Sequence, residues 1–519
     1  MKYVYSFNEG SRNMQELLGA KGQKLSDMNK MGLPVPFGFI ITNEAARKYY
    51  EEKRELDPDV KRQILEKLFE LQELTGKGRV VLNDAVVCDA KELIDNIILI
   101  YNSNDPGAGD FAELSKNTEM AIVVQEELGD FEEEVVFTRD PETGEKNIEN
   151  QVSSVMRAFD ISKVASILEK QFKAVQKVSF AYVTQDDATE KMYVISTENA
   201  KLSYYSEIKT AVDLVDEGVI TKLEAVKNLD ASLFPRTDKI LEGSSLDRIL
   251  SWADDFRTVK IRSEIKSIND VKLAKGVGSD GIGYYDRLDS LRRSEFSKIY
   301  DKVEDYDFSI RLSDCKRAVV NPDVVSNQAK EIFTSAIKCA REKDINVKLE
   351  LVLPIAGTTK EMKFLVDLIN STARKIFDAE QFEIPYFIAA LIETPRAAIN
   401  ASEISKYCDT IIFDIARLTE NSFGLSERSV KGVTEDYVIY GLLDDDPIKS
   451  IDEDGVGKII DFAIAHALIT RPKMKFGLIG PQTIAQETIK FAKDRKIAYI
   501  TCKIYDVPKA RIIAAQAGM

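Results

Sequence analysis

Few residues in this chain are of the types that carry acid–base or nucleophilic chemistry, and those few are scattered. There is one histidine, His466, and there are five cysteines, Cys88, Cys315, Cys339, Cys408 and Cys502. A histidine that moves protons or carries a phosphoryl group works from a polar, accessible setting. His466 sits instead in DFAIAHALITRP, an apolar stretch with no glycine-rich or hydroxyl-rich loop around it, and reads as an ordinary helix residue. The cysteines form no CxxC and no metal-like cluster, which argues against a zinc site and against a disulfide framework. Candidate chemistry therefore falls on isolated charged and polar side chains, whose meaning depends on the elements that hold them.

Those elements change character along the chain. From about residue 246, apolar β-branched runs alternate with helical spacing. The strand candidates are VKIRSE (259–264), DGIGYY (280–285), FSIRL (308–312), KLELVLP (348–354), YFIAALIE (386–393), DTIIFDI (409–415), KFGLIG (475–480) and AYITCK (498–503). Eight such β–α units predict a (β/α)8 barrel, a fold whose sites lie at the C-terminal ends of the strands. That rule singles out Asp286, Ser313, Glu393, Arg417 and Ile479.

The first half is read differently. A Gly-Lys-Gly turn and the strand FGFIIT precede helices between Asn43 and Thr75. Residues 78–110 are mixed and end in the turn-rich NSNDPGAGD. Strands follow in EMAIVVQEEL and EEEVVFTRD, then a PETG turn, a helix over 160–178, a hairpin from 178–184 and 191–196, and helices over 206–229. PRTDKILEGSS (235–245) reads as a linker, so the expected domains are 1–234 and 246–519.

Composition narrows the class of function. The net charge is −15, with 44% hydrophobic and 30% charged residues. This acidity opposes nucleic-acid binding, which needs basic patches, and disfavours anionic membranes. No apolar run approaches the roughly 18 residues of a membrane span. The start MKYVYSFNEGSRN shows no basic segment followed by an apolar run, which makes the cytoplasm the expected location.

The segments KYVYSFNEG, LLGAKGQKLSDMNKMGLPVPFGFIIT, VVFTRDPETGEK (135–146) and AVDLVDEGVITKLEAV (211–226) resemble the nucleotide-binding part of the pyruvate phosphate dikinase family of PEP-utilising enzymes. SLDRILSWADDFRTVKIR (245–262), GSDGIGYY, LVLPIAG, LIETPRAAI (391–399) and VPKARIIAAQAGM resemble its phosphoenolpyruvate/pyruvate barrel, in the same order. The resemblance implies an α/β protein, with a reduced ATP-grasp-like domain ahead of a TIM barrel. It also implies two losses. The family's central domain carries a Gly-Gly-Met-Thr-Ser-His loop, whereas this chain runs from LFPRTD to GSSLDRILSWADD in a few residues. The family's Ser-Val-Arg-Ser-Gly-Ala segment has no counterpart in GRVVLNDAVVCDA (78–90).

The family's functional positions, carried over one by one, are mostly changed. In the nucleotide part Lys21 matches the phosphate-contacting lysine. Ser179, however, stands at the metal-binding glutamate, and Ser196-Thr197-Glu198 stands at Gln-Thr-Arg. A glutamate where an arginine met phosphate repels a triphosphate. In the barrel, Asp286 stands at the phosphoenolpyruvate-gripping arginine, with Arg287 beside it. Ser313 replaces a further arginine, Ala416-Arg417 replaces an Asn-Asp pair whose aspartate binds Mg2+, and Ile479 replaces the acid–base cysteine. An isoleucine cannot move a proton. Only Glu393 is retained as a metal-ligand type. Arg417 is therefore expected to stand in for Mg2+ and pair with Glu393.

The reading that follows is a non-catalytic relative that keeps the fold and acts through a protein partner, itself or an intact dikinase, with no bound cofactor. The first alternative is a residual phosphotransferase using Mg2+ and ATP, with a partner supplying the missing domain. The second is a small-molecule sensor in an altered cleft, where Arg287, Arg417 and Gln482 could meet a carboxylate or amide.

Overall fold

A computed structural model describes residues 1–519 apart from 52–53, 83–84, 105–119, 149–150, 154–158, 185–189, 238, 286–297, 301, 304–305, 314 and 345–346. The chain divides into two units, Met1–Ile220 and Thr221–Met519. Residues 235–245 lie inside the second unit, as does the helix Lys222–Asn228, which packs on the helices Ser245–Phe256 and Val507–Gly518.

The first unit holds two antiparallel sheets. Strands β1 (Val4–Ser6), β2 (Gly38–Ile41), β3 (Val80–Leu82), β4 (Ala85–Val87) and β5 (Ile122–Glu126) form one, in the order β1-β2-β5-β3-β4. Strands β6 (Glu132–Phe137), β7 (Gln176–Thr184) and β8 (Glu190–Asn199) form the other. The two-residue period of a strand sends alternate side chains to opposite faces. On β2, Phe39 and Ile41 enter one core with Tyr49, Ile64 and Ile97, while Ile40 enters a second with Leu18, Leu25 and Phe180. β5 divides likewise, Ile122 and Val124 to the first and Val123 to the second.

The helices here carry their own start and stop signals. Pro58–Thr75 begins at Asp57, whose carboxylate accepts the amides of Asp59 and Val60, and it ends on Gly76 at φ 69°. It buries Val60, Ile64, Leu68 and Leu71, the one-face spacing of an amphipathic helix. Arg139, in the VVFTRD segment, is 1% exposed and clamped by Glu169 (3.0 Å), Asp213 (2.9 Å) and Glu217 (3.0 Å). The turn Pro141–Thr143 follows, and Ser203 N–H donates to the Pro141 carbonyl. That segment is a structural knot.

In the second unit, β9 (Lys260–Ile265), β10 (Gly281–Tyr285), β11 (Asp307–Arg311), β12 (Lys348–Ile355), β13 (Tyr386–Ile392), β14 (Thr410–Asp414), β15 (Lys475–Ile479) and β16 (Tyr499–Lys503) pair in parallel and close into a barrel. All eight lie within the sequence-predicted runs or differ from them by a residue at an end. On β12, Leu349, Leu351, Leu353 and Ile355 pack outward in the core shared with the helices, and Val352 packs inward. The interior also has a polar layer. Arg262 bonds Asp307, the first residue of β11, at 2.6 Å and lies 3.9 Å over the Tyr499 ring. Ser309 and Tyr499 both donate to Glu350, at 2.7 and 3.3 Å. No helix among the described residues is long and apolar enough to cross a membrane.

Candidate functional site

The C-terminal ends of the barrel strands surround a cavity of about 1000 Å3. β14 contributes Asp414, β15 Ile479 and β16 Thr501 and Lys503, while the helix Ile415–Phe423 brings Ala416, Arg417 and Glu420. This helix starts on Asp414, whose carboxylate accepts the Arg417 amide at 3.0 Å. Burial pushes the Asp414 carboxyl up to about 6; the Arg417 amide opposes that shift and nearby Glu393 adds to it. Gln482 is fully buried in the wall, its Nε2 donating to the Pro447 carbonyl at 3.1 Å.

The expected Arg417–Glu393 ion pair does not form. Glu393, 7% exposed, accepts the Lys316 ammonium at 2.6 Å and has the Arg311 guanidinium at 3.7 Å. Arg417 reaches Glu420 instead, at 2.8 Å, one turn along its own helix, where the two side chains are neighbours. The correction has a geometric cause. Arg311 ends β11 and Lys316 follows it in the short helix Cys315–Arg317, so both approach Glu393 just past the end of β13. A family-type Mg2+ would need Glu393 and the residue at 417 as oxygen ligands. One carboxylate is already neutralised by two cations and the other position is a guanidinium, so these residues do not fit the ion. Among the described residues, no three His, Cys, Asp or Glu side chains form a metal-ligand group.

The other barrel candidates separate. Ser313 turns toward the helix Pro322–Lys343, its amide donating to Gln328 Oε1 at 3.0 Å and its hydroxyl accepting from Gln328 Nε2. Ile479 is 7% exposed and packs with Val352, Leu391 and Ile412 in the barrel interior. Asp286 and Arg287 lie outside the described residues. His466 packs against Phe462, the rings tilted by 37° with centroids 4.1 Å apart, on the helix Lys458–Thr470. Sequence reasoning missed Lys316, Arg311, Asp414 and Glu420. Arg311 and Asp414 each end an observed strand and stand last but one in the predicted run, and applying the strand-end rule to every charged residue there would have found them.

In the first unit, Ser179 and Ser196 are brought directly opposite each other on β7 and β8. Two positions along, Lys177 faces Glu198 and pairs with it at 2.8 Å. Lys24 reaches the Thr197 carbonyl at 3.1 Å; burial lowers its affinity for the proton and Glu198 partly restores it. Lys21 is exposed. It lies in the helix Gln15–Lys30 rather than in a turn, two residues after Gly19, which breaks the helical path at φ 70°. The cavities of about 220 and 280 Å3 in this unit are lined by other residues.

The chain thus carries an antiparallel α/β unit and, after it in sequence, a closed parallel barrel with a charged mouth. The family described as "PEP-utilising enzyme, PEP-binding domain" matches residues 313–519, and "Pyruvate phosphate dikinase, AMP/ATP-binding domain" matches residues 15–105. The pyruvate, phosphate dikinase of Clostridium symbiosum is 21% identical over 875 aligned residues, covering 100% of this chain and 99% of its own. A chain of 519 residues fills only part of such an alignment, so this protein is the shorter of the two. The chloroplastic enzyme of Mesembryanthemum crystallinum is 25% identical over 54% of this chain and 38% of its own. Pyruvate, phosphate dikinase 2 of Oryza sativa subsp. japonica is 30% identical over 54% and 41%. The matched region thus spans about two fifths of those two relatives. The chain belongs to the pyruvate phosphate dikinase family of PEP-utilising enzymes. Among solved structures, the citrate synthase SbnG aligns at a TM-score of 0.31 and 12% identity, over 49% of this chain and 89% of its own, a likeness too low to carry an argument.

Proposed function

We propose that this chain is a non-catalytic relative of pyruvate phosphate dikinase that acts as a structural or regulatory partner, binding a second copy of itself or an intact dikinase. The observation that carries the reading is the Lys316–Glu393 contact at 2.6 Å, with Arg311 behind it. The one metal-ligand type retained from the family is committed to an internal ion cluster. Ile479 at the acid–base position and Glu198 at a phosphate-contacting arginine point the same way, because neither can do the chemistry of the residue it replaces. Any activity left would belong to the kinase-type phosphotransferases.

Two measurements test the two halves of this reading. Incubated with Mg2+, ATP, phosphate and pyruvate, the purified chain is expected to form no phosphoenolpyruvate above a protein-free control. Turnover that disappears in Lys21→Ala would overturn the non-catalytic half. Mild purification of the tagged chain from its native cells, followed by mass spectrometry, is expected to recover a protein in near-equal amount or a self-associated form. A monomer recovered alone would overturn the partner half.

A further inference from the structure

We propose that the end of the helix Glu427–Ile439 is a docking surface for a partner protein that presents a cationic amphipathic segment. The inference rests on the partner half of the proposed function and adds where the partner sits and what chemistry it carries. The helix begins at Ser426, whose hydroxyl accepts from the Ser429 amide, and its inner side is anchored by Val430 and Thr434, buried four residues apart. Past Tyr440 the chain turns back at Gly441, φ 67°, a left-handed conformation that glycine adopts without strain. The Leu442 and Leu443 amides then both donate to the Tyr437 carbonyl, at 2.7 and 3.2 Å. Just beyond, the buried Asp446 carboxylate accepts the Thr434 hydroxyl at 3.2 Å and the Ile448 amide at 3.0 Å. The tip is therefore held in shape from below before any partner arrives.

That fixed tip carries apolar side chains outward. Tyr437 is 40% exposed, Ile439 75%, Tyr440 78% and Leu442 67%, all within one turn of helix and the bend after it. Single exposed apolar residues are ordinary, but a clustered group marks an interaction site, and tyrosine is enriched among residues that carry binding energy. Charge selects the occupant. Glu435 and Asp436 precede the group and Asp444 and Asp445 follow it, all four exposed. Among the described residues, the only acid of this segment with an ion-pair partner is Asp446, which meets Lys449 at 3.5 Å. A second copy docked on the same tip by two-fold symmetry would set these carboxylates against their own kind. An anionic membrane or a nucleic acid would meet the same repulsion. A protein segment whose apolar face is bordered by lysine or arginine satisfies both the apolar group and the carboxylates beside it.

The probe is a fluorescein-labelled helical peptide of leucine and lysine, its leucines along one face, titrated with the full chain and read by fluorescence anisotropy. Saturable binding is expected, weakened at least about tenfold in I439S/Y440S/L442S and at least about threefold in D444N/D445N. These side chains are exposed, so both variants should keep the fold, and an unchanged melting curve checks that. No saturable binding, or equal binding to wild type and both variants, would overturn the inference; equal binding is what a basic peptide gives on any surface of a chain with net charge −15. Self-association lost in the triple variant would make the occupant a second copy, and tip-dependent binding to phosphatidylcholine vesicles without peptide binding would make it a lipid surface; either result also overturns it. Mild purification from native cells separates this site from the reading beneath it. A partner recovered with the wild type and lost with I439S/Y440S/L442S is expected. A partner recovered equally with both removes the site and leaves the partner half standing, whereas a wild-type monomer recovered alone removes both.

Discussion

The two units carry their altered positions in opposite ways. At the barrel mouth three of the altered positions, Ala416, Arg417 and Ile479, line one cavity; Arg417 pairs with Glu420 there, and the retained Glu393 is taken up by Lys316. In the first unit the replaced residues lie along a β-ribbon. Ser179 and Ser196 face each other, Glu198 is tied to Lys177, and none of them lines the cavities described there. The buried cluster of Arg139 with Glu169, Asp213 and Glu217 is a packing contact of that unit and lies apart from those positions. The altered positions thus border a pocket in one unit and lie on a ribbon in the other, because barrel strand ends converge on one space whereas a ribbon does not.

The contrast can be broken by substitution, beginning where the effect is greatest. Arg139→Ala strands the buried Glu169 carboxylate, and denaturant unfolding should show a loss of about 3–5 kcal/mol, the usual result of removing one partner from a buried ion cluster. A loss below about 1 kcal/mol would mean that Arg139 is not a structural knot.

Next comes Asp414. Its pKa is raised in the folded chain, so between roughly pH 4 and 6 the folded state binds more protons than the unfolded one, and stability falls as pH rises through that window. Asp414→Asn keeps a helix-capping side chain and removes the titration. The variant should gain roughly 2 kcal/mol at pH 7, with the gain fading towards pH 4. Parallel unfolding curves at all pH values would show that Asp414 is solvated.

Lys316→Met should cost about 1 kcal/mol, since Glu393 keeps Arg311 at 3.7 Å and the lysine is half exposed. A double-mutant cycle with Glu393→Gln should recover most of that cost as coupling; additivity would show that the pair carries no energy. Smallest of all, Glu198→Ala should leave the unfolding midpoint unchanged within error, because both it and Lys177 are solvated; a clear shift would show that the pair supports the ribbon.

Much of this organisation is legible in the sequence. The eight barrel strands announce themselves because each is a short run of apolar, β-branched or aromatic residues bounded by turns or helical spacing, a local signal. The strands β3 and β4 and the helix Ala90–Ser103 were read only as a mixed stretch. β3 and β4 are three residues each, too short for a period to register, and the helix shares the run with them. The site was half legible. Strand-end positions such as Glu393 could be named, but not their partners, because the Lys316–Glu393 contact joins residues 77 apart in the chain. Arg417 instead chose the acid three residues ahead, a contact that helical spacing alone allows.

Strand β2 has a consequence for how the first unit comes apart. Its Phe39 and Ile41 belong to one core and Ile40 to the other, so neither core can open without stripping one face of the same four-residue strand. Amide hydrogens along Gly38–Ile41 should therefore exchange among the slowest in the unit, at the rate of its global opening, and the two cores should melt as a single cooperative block.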